Sequence, residues 1–135
     1  MSRHTFRCPM RWSDMDAYGH VNNVVFLTYL EEARVDMLDV LRGGTGHDQL
    51  AEGILVSRHE ITYKRPLVHH TRGVDIDLWV GKIGGASFDI HYEVHDETQV
   101  FATAASTLVP YDFSATRPRR LTTEERSFLQ KYAES

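Results

Sequence analysis

A chain of 135 residues has material for one hydrophobic core and not for two. Its composition, 41% hydrophobic and 25% charged, is that of a soluble globular protein, expected to be a single domain over 1–135. A net charge of −4 and a pI near 6.0 argue against a nucleic-acid binder, whose contact face is basic.

The first ten residues, "MSRHTFRCPM", lack the apolar segment of a signal peptide, and no apolar run approaches a membrane span. A cytoplasmic protein is expected. Residues 5–13 alternate as a strand, with Phe6, Cys8, Met10 and Trp12 on one side and Arg7, Pro9 and Arg11 on the other. Pro9 cannot donate to a ladder, so this strand lies at an edge or is bulged there. Cys8 is the single cysteine, has no partner for an internal disulfide, and reads as a buried thiol rather than a nucleophile.

"SDMDAYGH" is turn chemistry. From about Asn22 to Leu41 the pattern is helical: Phe26, Leu30, Ala33, Met37 and Leu41 recur at spacings of three and four. Asn22 or Asn23 suits the N-cap, Thr28, Glu32, Asp36 and Asp39 keep a polar stripe, and "RGGTGHD" stops the helix with glycines. The opening "VVFLTYL" is apolar almost all round, which predicts enclosure on most sides.

Four strands follow, at 54–63, 74–83, 86–95 and 99–109. In 86–95, Ala86, Phe88, Ile90, Tyr92 and Val94 face one way and Ser87, Asp89, His91, Glu93 and His95 the other. The short connections "GG" and "DET" make these strands antiparallel. "TTEERSFLQKYA" reads as a short C-terminal helix with a capping box of Thr122 and Glu125. One long helix with antiparallel strands is an α+β domain whose sheet curls around the helix, and its open edges predict a homo-oligomer.

Asp16 falls just before the long helix, where backbone N–H groups lack intrahelical partners and the dipole is positive. An acid at that place either caps the helix or serves chemistry. Asn22 and Asn23 already supply a cap, so Asp16 lies too early for that task. Free N–H groups at a helix start polarise a carbonyl, and a neighbouring carboxylate attacks it or activates water. That pairing suits acyl transfer or hydrolysis.

The segment "SDMDAYGHVNNVVFLTYLEEAR" closely resembles the signature of the hotdog-fold acyl-CoA thioesterases of the 4-hydroxybenzoyl-CoA thioesterase family. "ITYKRPL", "VGKIGGASFDIHYEV", "ATAASTLVPYD" and "TRPRRLT" are similar to successive segments of that family. The resemblance implies a five-stranded antiparallel sheet wrapped around one long helix, plus the short C-terminal helix, assembled as homodimers or homotetramers. It implies hydrolysis of an acyl- or aroyl-CoA thioester to acid and CoA, with no cofactor. Asp16 matches the family's catalytic aspartate, nucleophile or general base, and Asn23 matches the residue whose backbone N–H polarises the carbonyl.

His20 matches the histidine of the same motif, in a supporting role or tying down the loop. Asp14 reads as structural, and Glu31 and Arg34 as an ion pair on the helix. Lys64 and Arg65 are the candidates for the CoA phosphates, and His59 is a candidate pocket residue. The sequence departs from the family after "RPL", where "VHHTRG" replaces a Gly-Asp turn. No histidine pair sits at helical metal spacing with a carboxylate, so no metal site is expected. The rival reading is a non-catalytic acyl-CoA-binding module.

Overall fold

A computed structural model describes residues 3–45 and 53–134, and in the helix the side chains as far as Asp39. In chain order the elements are β1 (His4–Cys8), a 3₁₀ turn (Trp12–Asp14), α1 (Asn23–Thr45), β2 (Ile54–Tyr63) and β3 (Val74–Ile83). β4 (Phe88–His95), β5 (Val100–Asp112), the two-residue β6 (Arg117–Pro118) and α2 (Thr123–Gln130) complete them. The five long strands form one antiparallel sheet in the order β1-β3-β4-β5-β2, and β6 pairs with β5 beyond the start of β2.

The two-residue period of β3 and β4 decides which face is core. Val74, Ile76, Leu78 and Val80 of β3 and Phe88, Ile90, Tyr92 and Val94 of β4 are buried, and the residues between them are not. Against that face lies α1, burying Phe26, Tyr29, Leu30, Ala33, Met37 and Leu38 at spacings of three and four. Its other face is open: Val24 is 64% and Val35 62% exposed, so enclosure on most sides does not hold in the single chain.

Several boundaries differ from the sequence reading, among them the start of β4, at Phe88 and not at Ala86. β1 ends at Cys8, because Pro9 has no N–H to continue the ladder and the chain turns at Trp12–Asp14. Trp12 therefore leaves the buried side expected for it and is 76% exposed. α1 runs through Gly43 and Gly44 to Thr45, past the expected stop near Leu41; the glycine stop from 46 onward lies outside the described residues. β5 extends to Asp112 because β6 provides a partner for its last residues.

The "VHHTRG" turn closes on Gly73, whose φ of +83° favours glycine. A Cβ there would run into the Cys8 carbonyl oxygen. α2 begins with the expected capping box: Thr122 accepts from the Glu125 N–H and Glu125 from the Thr122 N–H. Past α2 the chain returns to the sheet, where the Val80 N–H donates to Tyr132 O and the Glu134 N–H to Val80 O. This covers the stretch of β3 beyond its pairing with β1.

Candidate active site

The segment between the 3₁₀ turn and α1 is folded back on itself. Met15 bridges Val21, the Asp16 N–H donates to His20 O and the Gly19 N–H to Asp16 O. Gly19 allows this reversal with a φ of +79°. The loop is fastened at both ends: the Val21 N–H donates to Leu67 O at 2.7 Å, and the Asn22 N–H to Asp14 O at 3.1 Å.

Asp14 is the buried anchor beneath the loop. It is 2% exposed and accepts from Tyr29 Oη, the Arg11 backbone N–H and the Arg11 guanidinium. Burial pushes its carboxyl up, but the donors from Tyr29 and Arg11 outweigh burial and hold it below the usual carboxylate range. Its side-chain partners tie it to α1 through Tyr29 and to the start of the 3₁₀ turn through Arg11.

Asp16 is held by different means. Its Oδ1 accepts from the Tyr18 N–H at 2.9 Å, and its Oδ2 from Asn22 Nδ2 at 3.3 Å. The carboxylate is thus steered by its own loop and by the residue in front of α1, without using the helix N–H groups. Those are divided among other acceptors: the Val24 N–H takes Asn22 Oδ1 and the Val25 N–H takes Asn22 O, so Asn22 is the cap. The Asn23 N–H has no partner among the described residues.

These groups border one cleft of about 470 Å³. Asp16, His20, Asn23, Lys64 and Arg65, five residues singled out in the sequence, all line it. Phe26, Val21 and Leu67 give it apolar walls. Lys64 and Arg65 also line an adjoining open cleft along the start of β5, with Thr98 and Gln99.

Two tyrosines of the lining escaped the sequence reading. Tyr63 donates from Oη to the Asn23 carbonyl at 2.8 Å and packs edge-on against Phe26, fixing the first turn of α1 from β2. Tyr18 is 85% exposed over the loop. Neither signals itself in sequence, because a strand-end tyrosine and a turn tyrosine are ordinary.

His59 lies apart from the lining of this cleft. Its Nδ1 is 2.7 Å from Ser106 Oγ, which accepts from Tyr92 Oη, and Arg34 Nη1 donates to the same phenol. Burial, then the Arg34 charge, lower the His59 pKa. Arg34 thus turns to Tyr92 under the sheet, where the sequence suggested an ion pair with Glu31. Cys8 is fully buried and its thiol is pushed up to about 12, chiefly by burial, in keeping with an inert side chain. No helix among the described residues is long and apolar enough to cross a membrane.

Comparison with known proteins bears on this geometry. The sequence profile of the Thioesterase-like superfamily matches residues 10–129. The PA2801 protein of Pseudomonas aeruginosa, named as a candidate thioesterase, is 32% identical with a TM-score of 0.80, over 92% of this chain and 95% of its own. YbaW of Escherichia coli, also named as a candidate thioesterase, is 29% identical with a TM-score of 0.74, over 98% of both chains. A thioesterase of Thermus thermophilus crystallised with coenzyme A and Zn is 27% identical with a TM-score of 0.77, over 95% of this chain and 92% of its own. No curated protein sequence matches the chain. Its hotdog-type sheet and helix, and a profile match across 10–129, show that the chain belongs to the Thioesterase-like superfamily.

Proposed function

We propose that the protein hydrolyses an acyl- or aroyl-CoA thioester to the free acid and CoA, acting in the cytoplasm as a single domain of the 4-hydroxybenzoyl-CoA thioesterase type. One observation carries the reading: a carboxylate steered by Tyr18 and Asn22 shares a cleft with the unpartnered Asn23 N–H. The coenzyme A bound by the Thermus thermophilus relative supports CoA as the thiol.

With the thioester carbonyl oxygen on the Asn23 N–H, the developing oxyanion meets a donor already in place at the positive end of α1. Asp16 then serves in one of two ways. As general base it takes a proton from water as that water attacks the carbonyl carbon, and returns it to the departing CoA thiolate. As nucleophile it attacks the carbon itself and expels the thiolate, leaving a mixed anhydride that water opens. Asn22 and the Tyr18 N–H orient the carboxylate in both routes.

His20 lines the same cleft and supports the loop or the attacking water. Lys64 and Arg65 hold the CoA phosphates where the two clefts meet. The acyl group extends under α1 toward His59. No cofactor is needed by either route.

A homodimer or homotetramer completes the proposal. β2 is an edge strand of ten residues, exposed along most of its length, with Leu55, Val56 and Tyr63 41%, 38% and 46% exposed. Such an edge is a template for a second copy.

Thiol release from a panel of short-chain, long-chain and aromatic acyl-CoAs tests the activity. Turnover of any member supports it and names the substrate class. Binding of CoA esters without turnover of any member returns the protein to the non-catalytic binding module.

A further inference from the structure

Among the described residues, three charged side chains are buried. Asp14 and Glu125 each pair with an arginine, but Arg34 has no opposite charge. Arg34 is 8% exposed, and its one hydrogen bond runs from Nη1 to the Tyr92 phenol at 3.3 Å. Glu31, the partner suggested by the sequence, is exposed and does not pair with it. A buried cation is costly without an anion, and a neutral phenol supplies only a dipole. The Nε and Nη2 edge of the guanidinium makes no hydrogen bond. Among the described residues only His95 Nε2 is both sealed from solvent and without a partner, so that edge of Arg34 faces space open to a guest.

The surroundings of Arg34 say where a guest comes from. Tyr92 Oη donates to Ser106 Oγ at 3.0 Å, and Ser106 Oγ lies 2.7 Å from His59 Nδ1. One group each from α1, β4, β5 and β2 thus meets here. His59, Ile61 and Tyr63 share a face of β2, and Tyr63 borders the cleft that holds Asp16. Four residues of strand rise set His59 about 13 Å beyond Tyr63. The polar group lies at that distance from the thioester site, on the line given to the acyl chain.

The sheet is shallow along that line. Ala102, Ala104 and Ser106 of β5 stand opposite Tyr63, Ile61 and His59 of β2, so β5 offers small side chains from the cleft to Arg34. α1 itself lies chiefly over β1 and β3. On α1 the residues between the cleft and Arg34 are Phe26 and Leu30, on successive turns of the same face. An apolar strip that starts at a reactive carbonyl and ends at a buried cation suits an acyl chain with a negative charge at its far end.

We propose that Arg34, with Ser106 and His59 beside it, receives a carboxylate at the far end of the acyl group, an inference that rests on the thioester hydrolysis proposed for the Asp16 cleft. The substrate class is then the CoA monothioester of a dicarboxylic acid of medium chain length. A carboxylate supplies the missing opposite charge, and its two oxygens match the open Nε and Nη2 edge. Tyr92, itself held by Ser106, fixes the guanidinium from the other side. A plain alkyl chain of the same length leaves the cation unpaired against a methyl group, which is the source of discrimination.

Hydrolysis of adipoyl-, suberoyl- and sebacoyl-CoA beside hexanoyl-, octanoyl- and decanoyl-CoA tests the assignment in the wild type, Arg34→Met and Arg34→Lys. The wild type is expected to favour at least one carboxylate-ended thioester over its alkyl counterpart by about tenfold or more in kcat/KM. Arg34→Met abolishes or reverses that ratio, and Arg34→Lys restores part of it. If circular dichroism finds the variants unfolded, the wild-type ratio decides alone. A wild type that favours no carboxylate-ended member, or a preference that survives in folded Arg34→Met, overturns the proposal and leaves hydrolysis standing. If no thioester is turned over, hydrolysis itself fails. Calorimetric affinities for the same six thioesters then decide: a preference lost in Arg34→Met supports the carboxylate site, and equal affinities overturn it.

Discussion

The phenol of Tyr29 donates a 2.6 Å hydrogen bond to Asp14 Oδ2, tying the second turn of α1 to the loop that carries Asp16. Both groups are buried, so removing the donor leaves a carboxylate short of a partner where water cannot replace it. Tyr29→Phe is expected to destabilise the protein by about 1–3 kcal/mol at neutral pH, measured by urea unfolding.

The same contact has a pH signature. Asp14 has a folded pKa held below its unfolded value of about 3.9, so its contribution is fully present above that value. It is lost as pH falls through the folded pKa. The stability gap between wild type and Tyr29→Phe therefore narrows below about pH 4 and is flat from about pH 5 to 8. Unfolding curves across that range check it; a gap that widens in acid contradicts the assignment.

Asn23 separates main chain from side chain. Asn23→Ala keeps the N–H and is expected to retain kcat within a few-fold. Asn23→Pro removes the N–H at a first helical position that tolerates proline, so the fold survives. Loss of one oxyanion donor predicts a fall in kcat of about 10²–10³ with a normal circular dichroism spectrum.

Lys64 and Arg65 line both adjoining clefts. Replacing either by Ala is expected to raise KM for a CoA thioester with little change in kcat, and to weaken the dependence of KM on salt. A truncated thioester lacking the nucleotide is expected to show no difference between wild type and variants.

Cys8 is expected to resist a thiol reagent at pH 8 in the folded protein and to react at once in denaturant. Its thiol is buried and pushed up to about 12. Rapid labelling of the native chain contradicts the burial.

Much of the architecture is legible in the sequence because its signals are local. The alternation of Phe88, Ile90, Tyr92 and Val94, the spacing of Phe26, Leu30, Ala33 and Met37, and the Thr122–Glu125 box each state their own geometry. The turn at Trp12 is less legible, since alternation continues past Pro9 while the ladder cannot. The gathering of Asp16, His20 and Asn23 follows from one short segment, and Lys64 and Arg65 join them in the cleft. Tyr63 on Asn23 and the chain from Arg34 through Tyr92 and Ser106 to His59 depend on cross-strand or helix–sheet register. Sequence spacing does not encode that register.

The most direct test of the account is single-turnover thiol release by Asp16→Asn beside the wild type, on whichever acyl-CoA the wild type hydrolyses best. Asn keeps the size of the side chain but can neither attack the thioester carbon nor take a proton from water. A loss of about a hundredfold or more in rate, with CoA-ester binding and thermal unfolding unchanged, is the predicted result. A variant that releases thiol at the wild-type rate contradicts it and leaves Asp16 as a loop residue.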